Sequence, residues 1–235
     1  MFILPIIAAL LPVFILASYT WSFDLNPEPK GKLVRSFIYG AIICVPIIVV
    51  EIITENMIFG GHDQPSTFSA GVVKAFFVAA LPEEGFKLLV LWLILRKNPY
   101  FDEHFDGIVY AVFVGMGFAA VENVLYLLAS ADDWFGVAIA RALLSVPGHY
   151  ADAVFMGYFY SIYRFVNSSR RNLIMILLAP VLVHGIFDTI AFFGEMELLP
   201  SAVCTIALIV FCIWMFRYTR TKLIEQLDRD EKYEV

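Results

Sequence analysis

The sequence predicts an all-α, polytopic transmembrane bundle of about seven helices, with the N-terminus outside and the C-terminus cytoplasmic. Three observations carry that prediction. Of 235 residues, 60% are hydrophobic and only 16% charged, with a mean hydropathy of +0.79, whereas about a quarter of a soluble domain is charged. Seven apolar runs are long enough to cross roughly 30 Å of hydrocarbon, at about 2–18, 36–53, 71–95, 107–129, 134–163, 172–193 and 199–217. The loops between them alternate in Lys and Arg content, which orients such a chain.

The first run begins Met1-Phe2-Ile3-Leu4 with no Lys or Arg before it, unlike the basic start of a signal peptide, and reads as a transmembrane helix. A linker at 22–35 comes next, punctuated by Pro27, Pro29 and Gly31. Loop 19–35 carries Lys30, Lys32 and Arg35, loop 96–106 carries Arg96 and Lys97, and loop 164–171 carries Arg164, Arg170 and Arg171. Loops 54–70, 130–133 and 194–198 carry no Lys or Arg, so the positive-inside rule places them outside and the C-terminal tail inside. The expected organisation is one transmembrane domain at 1–221, its catalytic part about 70–190, and a charged cytoplasmic tail at 222–235 forming a helix end that frays.

The third run holds the stretch around which the chain is organised, Leu81-Pro82-Glu83-Glu84-Gly85-Phe86-Lys87. An ionised side chain deep in a bilayer costs roughly 2.5–3.5 kcal/mol by insertion measurements, so three together point to a functional site. On a helix Lys87 shares a face with Glu83 and with Glu84, so it can neutralise one carboxylate and leave the other for chemistry. A Glu–Lys pair that only fixes helix packing is the bland alternative.

The fourth run places Glu122 and Asn123 after a glycine-rich, closely packable stretch at 115–120; Asn123 also reads as interhelical glue. The fifth contains Arg141 and Pro147-Gly148-His149-Tyr150-Ala151-Asp152, with His149 and Asp152 on one face; the sixth sets His184 and Asp188 four apart after Pro180. A lone membrane histidine is commonly a packing residue, but two histidines, each with an acid at helical spacing, are harder to explain so. At 1.5 Å per residue, Glu83 lies roughly 18 Å from the outer end of its helix. Glu122, His149 and His184 also fall between the midplane and the outer third, so all four suit one site.

Two carboxylates and two histidines suit hydrolysis, in which one group takes a proton from water and others stabilise the oxyanion. The candidate catalytic residues are Glu83, Glu84, Glu122, His149 and His184, with Lys87, Asn123, Asp152 and Asp188 in support. No cofactor is demanded, but Glu83, Glu122, His149 and His184 could hold Zn²⁺, which lowers the pKa of bound water to about 7. No HExxH is present. Cys44, Cys204 and Cys212 lie in apolar runs without ligand spacing and read as core residues. No basic surface interleaved with aromatics points to nucleic acid, and no inverted repeat of the transporter kind is present.

Glu83-Glu84-x-x-Lys87, Phe118-x-x-x-Glu122 and His184-x-x-x-Asp188, in that order on successive helices, resemble the EExxK, FxxxE and HxxxD motifs of PrsW-type intramembrane proteases, bacterial relatives of the type II CAAX prenyl proteases. The resemblance covers roughly residues 70–190. It implies an endopeptidase of the bacterial cytoplasmic membrane, cutting a single-pass membrane protein such as an anti-sigma factor on its extracytoplasmic side. It also favours a glutamate and histidine site without metal. Glu122 and Asp188 stand where the CAAX proteases have FxxxH and HxxxN, so a base histidine is missing from the second motif and His149 is a candidate for its place. The alternative is a proton- or cation-coupled transporter using the same cluster as a relay; a membrane scaffold without activity would leave the cluster unexplained.

Overall fold

The computed structural model describes residues 3–60, 67–130 and 132–233. The centre of the expected 54–70 loop, with Gly61 and Pro65, lies outside the described residues. Among these residues nine α-helical segments occur in order: α1 (Ile3–Trp21), α2 (Lys30–Phe59), α3 (Phe68–Val73), α4 (Leu81–Leu95), α5 (Asp106–Ala129), α6 (Trp134–Ala140), α7 (Val146–Ser161), α8 (Arg170–Glu195) and α9 (Ser201–Tyr233). Among the described residues they make seven rods, because π-helical turns at Lys74–Ala80 and Arg141–Ser145 join α3 to α4 and α6 to α7. These rods match the seven apolar runs. Helices α1, α2, α5, α8 and α9 are each long and apolar enough to cross a membrane without interruption.

Helix α5 is the hub and packs against α1, α2, α4 and α7, while α7 carries α8 and α9 on its other side. The hub crosses α2 at close range. A Cβ on Gly40 would lie 2.0 Å from the Val114 carbonyl oxygen, and one on Gly117 would lie 2.0 Å from that of Phe37. Only glycine permits that approach, so the glycine-rich stretch acts as a close-packing face. Once α5 is enclosed, Ile108, Val112 and Met116 are sealed from the surroundings. Dispersion attraction across these close faces then holds together a bundle that lipid gives no hydrophobic reason to assemble.

Up to Tyr233, the last described residue, the C-terminal tail is helix rather than a frayed end. Helix α9 continues through Lys222 to Tyr233, with Leu223, Gln226 and Asp230 buried. Gln226 donates to the Tyr158 carbonyl at 3.3 Å. The Asp230 carboxylate accepts from the backbone N–H groups of His104 at 2.7 Å and Phe105 at 2.8 Å. These donors lie at the start of α5, where unpaired N–H groups attract an anion. Asp230 of the tail thus caps another helix.

Candidate active site

Two of the predicted prolines act with the π turns. Leu81 N–H bonds to the Phe76 carbonyl, and Val146 N–H to the Arg141 carbonyl, both five residues back; Pro82 and Pro147 come immediately after and supply no N–H. An inserted residue turns the remainder of the rod by about 100° around its axis. Glu83, Glu84 and His149 therefore stand in the first turn of a re-phased helix. In α8, Pro180 lies one turn before His184. At Gly185 a Cβ would meet the Phe76 ring at 2.4 Å, so the π turn preceding Glu83 lies flat against the helix that carries His184.

The side chains converge as two braced histidines. His184 Nδ1 lies 2.9 Å from Glu84 Oε1, while its Nε2 faces Asp188 Oδ2 at 3.3 Å and Glu83 Oε1 at 3.9 Å. His149 Nε2 lies 2.7 Å from Glu122 Oε2, and its Nδ1 is buried and has no partner among the described residues. Lys87 donates to Glu83 Oε2 at 3.0 Å and Glu84 Oε1 at 2.8 Å, with its ammonium 4.1 Å from the Phe118 ring centroid. It compensates two carboxylates in place of the single one expected. Asp152 Oδ2 stands 3.7 Å from His184 Nδ1.

Glu83, Glu122, His149 and His184 line one cavity of about 410 Å³, together with Asp152 and Asp188. Its far end is formed by Glu55, Lys74 and Glu195, near the chain ends that lead into the 54–70 and 194–198 loops. Glu84 is fully buried and is not among the lining residues; it reaches the site only through His184 and Lys87. Asn123 stands behind the site as glue, accepting from Arg141 Nε at 2.6 Å and donating to the Ala9 carbonyl at 3.1 Å.

Two further residues line the cavity without a role expected from the sequence. Arg141 donates to Glu122 Oε2 at 2.8 Å and starts the π turn that positions His149. Glu51 of α2 lines the cavity; an ionisable residue inside the second apolar run was a signal the sequence offered.

One oxygen of Glu83 and one ring nitrogen each of His149 and His184 lie within 4.8 Å of one another. Two imidazole nitrogens and a carboxylate oxygen are a zinc donor set. A carboxylate on the second nitrogen of each histidine is the bracing that metal sites use to fix tautomer and ring orientation. The orphaned, buried Nδ1 of His149 has the chemistry of an unfilled ligand, so the residues fit a metal.

Ionisable groups convergent on a cavity inside a bundle of spanning helices mark a multi-pass membrane protein with a polar intramembrane site. The chain belongs to the PrsW family of intramembrane proteases: residues 28–216 match the family model described as PrsW family intramembrane metalloprotease. It is 34% identical to Protease PrsW of Clostridioides difficile, over 87% of this chain and 83% of that protein. Identity is also 34% to Protease PrsW of Oceanobacillus iheyensis and to that of Bacillus subtilis, in each case over 78% of this chain and 80% of the relative. No solved structure matches. The family match does not favour the transporter alternative, and a family of metalloproteases weighs against a metal-free site.

Proposed function

We propose that this protease cleaves a single-pass membrane protein near its extracytoplasmic side, with Glu83, His149 and His184 as ligands of a zinc ion. The observation that carries the reading is the triad of donor atoms within 4.8 Å, both histidines braced by carboxylates, on the wall of an intramembrane cavity. The site is reached from the end of the bundle next to loops without Lys or Arg, which the positive-inside rule puts outside the cell together with the N-terminus. Among single-pass proteins, an anti-sigma factor is the substrate class that the motif resemblance implies.

A bound zinc ion would supply a water of lowered pKa and polarise the scissile carbonyl. The chain's own groups do the rest. Glu84 accepts the Nδ1 proton of His184 and so turns Nε2 to the cavity. Glu122, held by Arg141, does the same for His149 through Nε2, leaving Nδ1 for the site. Lys87 compensates the charge of Glu83 and Glu84 side by side. Asp188, on the cavity wall at 3.3 Å from His184 Nε2, is placed to take a proton from water and return it to the leaving amine.

The test is purified protein in lipid, incubated with a panel of tagged single-pass substrates with and without a chelator. The expected result is one cleaved substrate and loss of cleavage on chelation, reversed by zinc. Cleavage by Glu83→Gln protein at the wild-type rate would refute the site.

A further inference from the structure

A second groove, of about 540 Å³, runs between α2 and α4 at the opposite end of α4 from Glu83. Its mouth is formed by Lys32, Arg35, Arg96 and Lys97, and among the described residues no Asp or Glu lines it. Among the described residues, none of these four cations pairs with a carboxylate. Two are instead held over aromatic rings: Lys32 lies 5.7 Å from the Tyr100 centroid and Arg96 lies 4.7 Å from that of Trp92. Such contacts fix the height of a charge without neutralising it. Above the mouth the groove becomes apolar, with Ile43 and Val90 buried in its floor and Ile42 and Leu93 exposed along its walls.

We propose that this groove binds an anionic glycerophospholipid from the leaflet at that end of the bundle. The phosphate would sit among Lys32, Arg35, Arg96 and Lys97, and one acyl chain would lie along Ile42, Ile43 and Leu93. Charge complementarity selects the headgroup: four uncompensated cations attract a net-negative lipid, whereas a zwitterionic lipid brings a cation of its own. The length suits an acyl chain, since Lys32 to Ile43 on one helix spans about 16 Å. An extended peptide is a poor occupant, because the apolar walls offer its backbone groups no partners. The lipid would tie α2 to the helix that carries Glu83 and Glu84.

The test is thermal unfolding of the full-length protein in mild detergent, titrated with phosphatidylglycerol, with phosphatidylcholine of the same acyl chains, or with inorganic phosphate. Native mass spectrometry reports the lipid retained. Phosphatidylglycerol is expected to raise the unfolding midpoint and to remain bound at about one per chain, with little effect from the other two. The K32A/R35A/R96A/K97A variant should bind phosphatidylglycerol at least about tenfold more weakly, whereas R170A/R171A, which removes two arginines from the start of α8, should bind as wild type. Leu93→Trp keeps all four cations but blocks the apolar wall, and should also weaken binding; it decides the matter alone if the quadruple variant does not fold. Undiminished binding by either groove variant overturns the proposal, as does an equal response to phosphatidylcholine. An equal response to inorganic phosphate assigns the cations to a soluble anion and overturns it too.

Discussion

His149 and His184 meet edge to face, with ring centroids 5.5 Å apart, although they sit on different rods and each is braced by a carboxylate from yet another rod. Four rods thus have to dock before two imidazoles face one cavity, and each brace can be removed separately.

Removing a brace should weaken the metal without emptying the site. Glu122→Gln is expected to lower zinc affinity by about 10- to 100-fold, while His149→Ala and His184→Ala abolish stoichiometric binding. Elemental analysis of the purified variants, with activity after chelation and zinc readdition, checks this. Full activity in wild-type protein stripped of metal would return the site to the metal-free glutamate chemistry expected from the motif resemblance.

Glu83→Gln should lower cleavage by at least about a hundredfold while leaving expression and unfolding midpoint near wild type, because the residue faces the cavity. Lys87→Met should behave differently. It strands two buried carboxylates, and breaking such a pair costs about 3–5 kcal/mol. Thermal unfolding in detergent separates the two, and equal stability losses would contradict these assignments.

The α2–α5 crossing predicts a packing defect away from the chemistry. Gly117→Val drives a side chain into the Phe37 carbonyl, where even a Cβ would be 2.0 Å away. A destabilisation of about 1–3 kcal/mol or more is expected, with lost activity accompanying lost fold. A Gly117→Val protein as stable as wild type would show that the helices do not cross so closely.

Stability should also depend on pH through the α1–α2 linker. Burial pushes the Glu28 carboxyl up from its ordinary 4.5 to about 7, against hydrogen bonds from Tyr110 and Asp106 that lower it; burial also raises Asp24 and Glu103. A folded-state pKa above the unfolded one means that the native protein binds more protons in between, so stability falls as pH rises from about 4.5 to about 7. Glu28→Gln should flatten that slope. Unfolding midpoints of both proteins across this range decide it, and an unchanged slope would assign the effect elsewhere.

The topology is tested by single-cysteine labelling in a Cys-free background. Position 63, outside the described residues, should react with an impermeant reagent from the external side, and position 168 only after permeabilisation. The reverse pattern would turn the bundle over and move the proposed cleavage to the cytoplasmic side.

Much of this protein is determined locally. Seven apolar runs become seven rods because a polypeptide in hydrocarbon must pair its own backbone groups, and a helix does this within one segment. The positions of Glu83, Glu122, His149 and His184 along those rods follow closely from residue number, and that is why the sequence could assign them to one site; in the structure they line one cavity. The three motifs at intramembrane positions were equally plain. What a helical count could not supply was rotation and partnership. Each π turn re-phases its rod by about 100°; that Glu83 lines the cavity while Glu84 is buried behind it is therefore a fact of the packed bundle and not of the helical count. Arg141 found Glu122 on the preceding rod, and Asp230 found the start of α5, 125 residues away. A buried charge takes whatever counter-charge or N–H group the packed helices bring near it, and that choice exists only after docking.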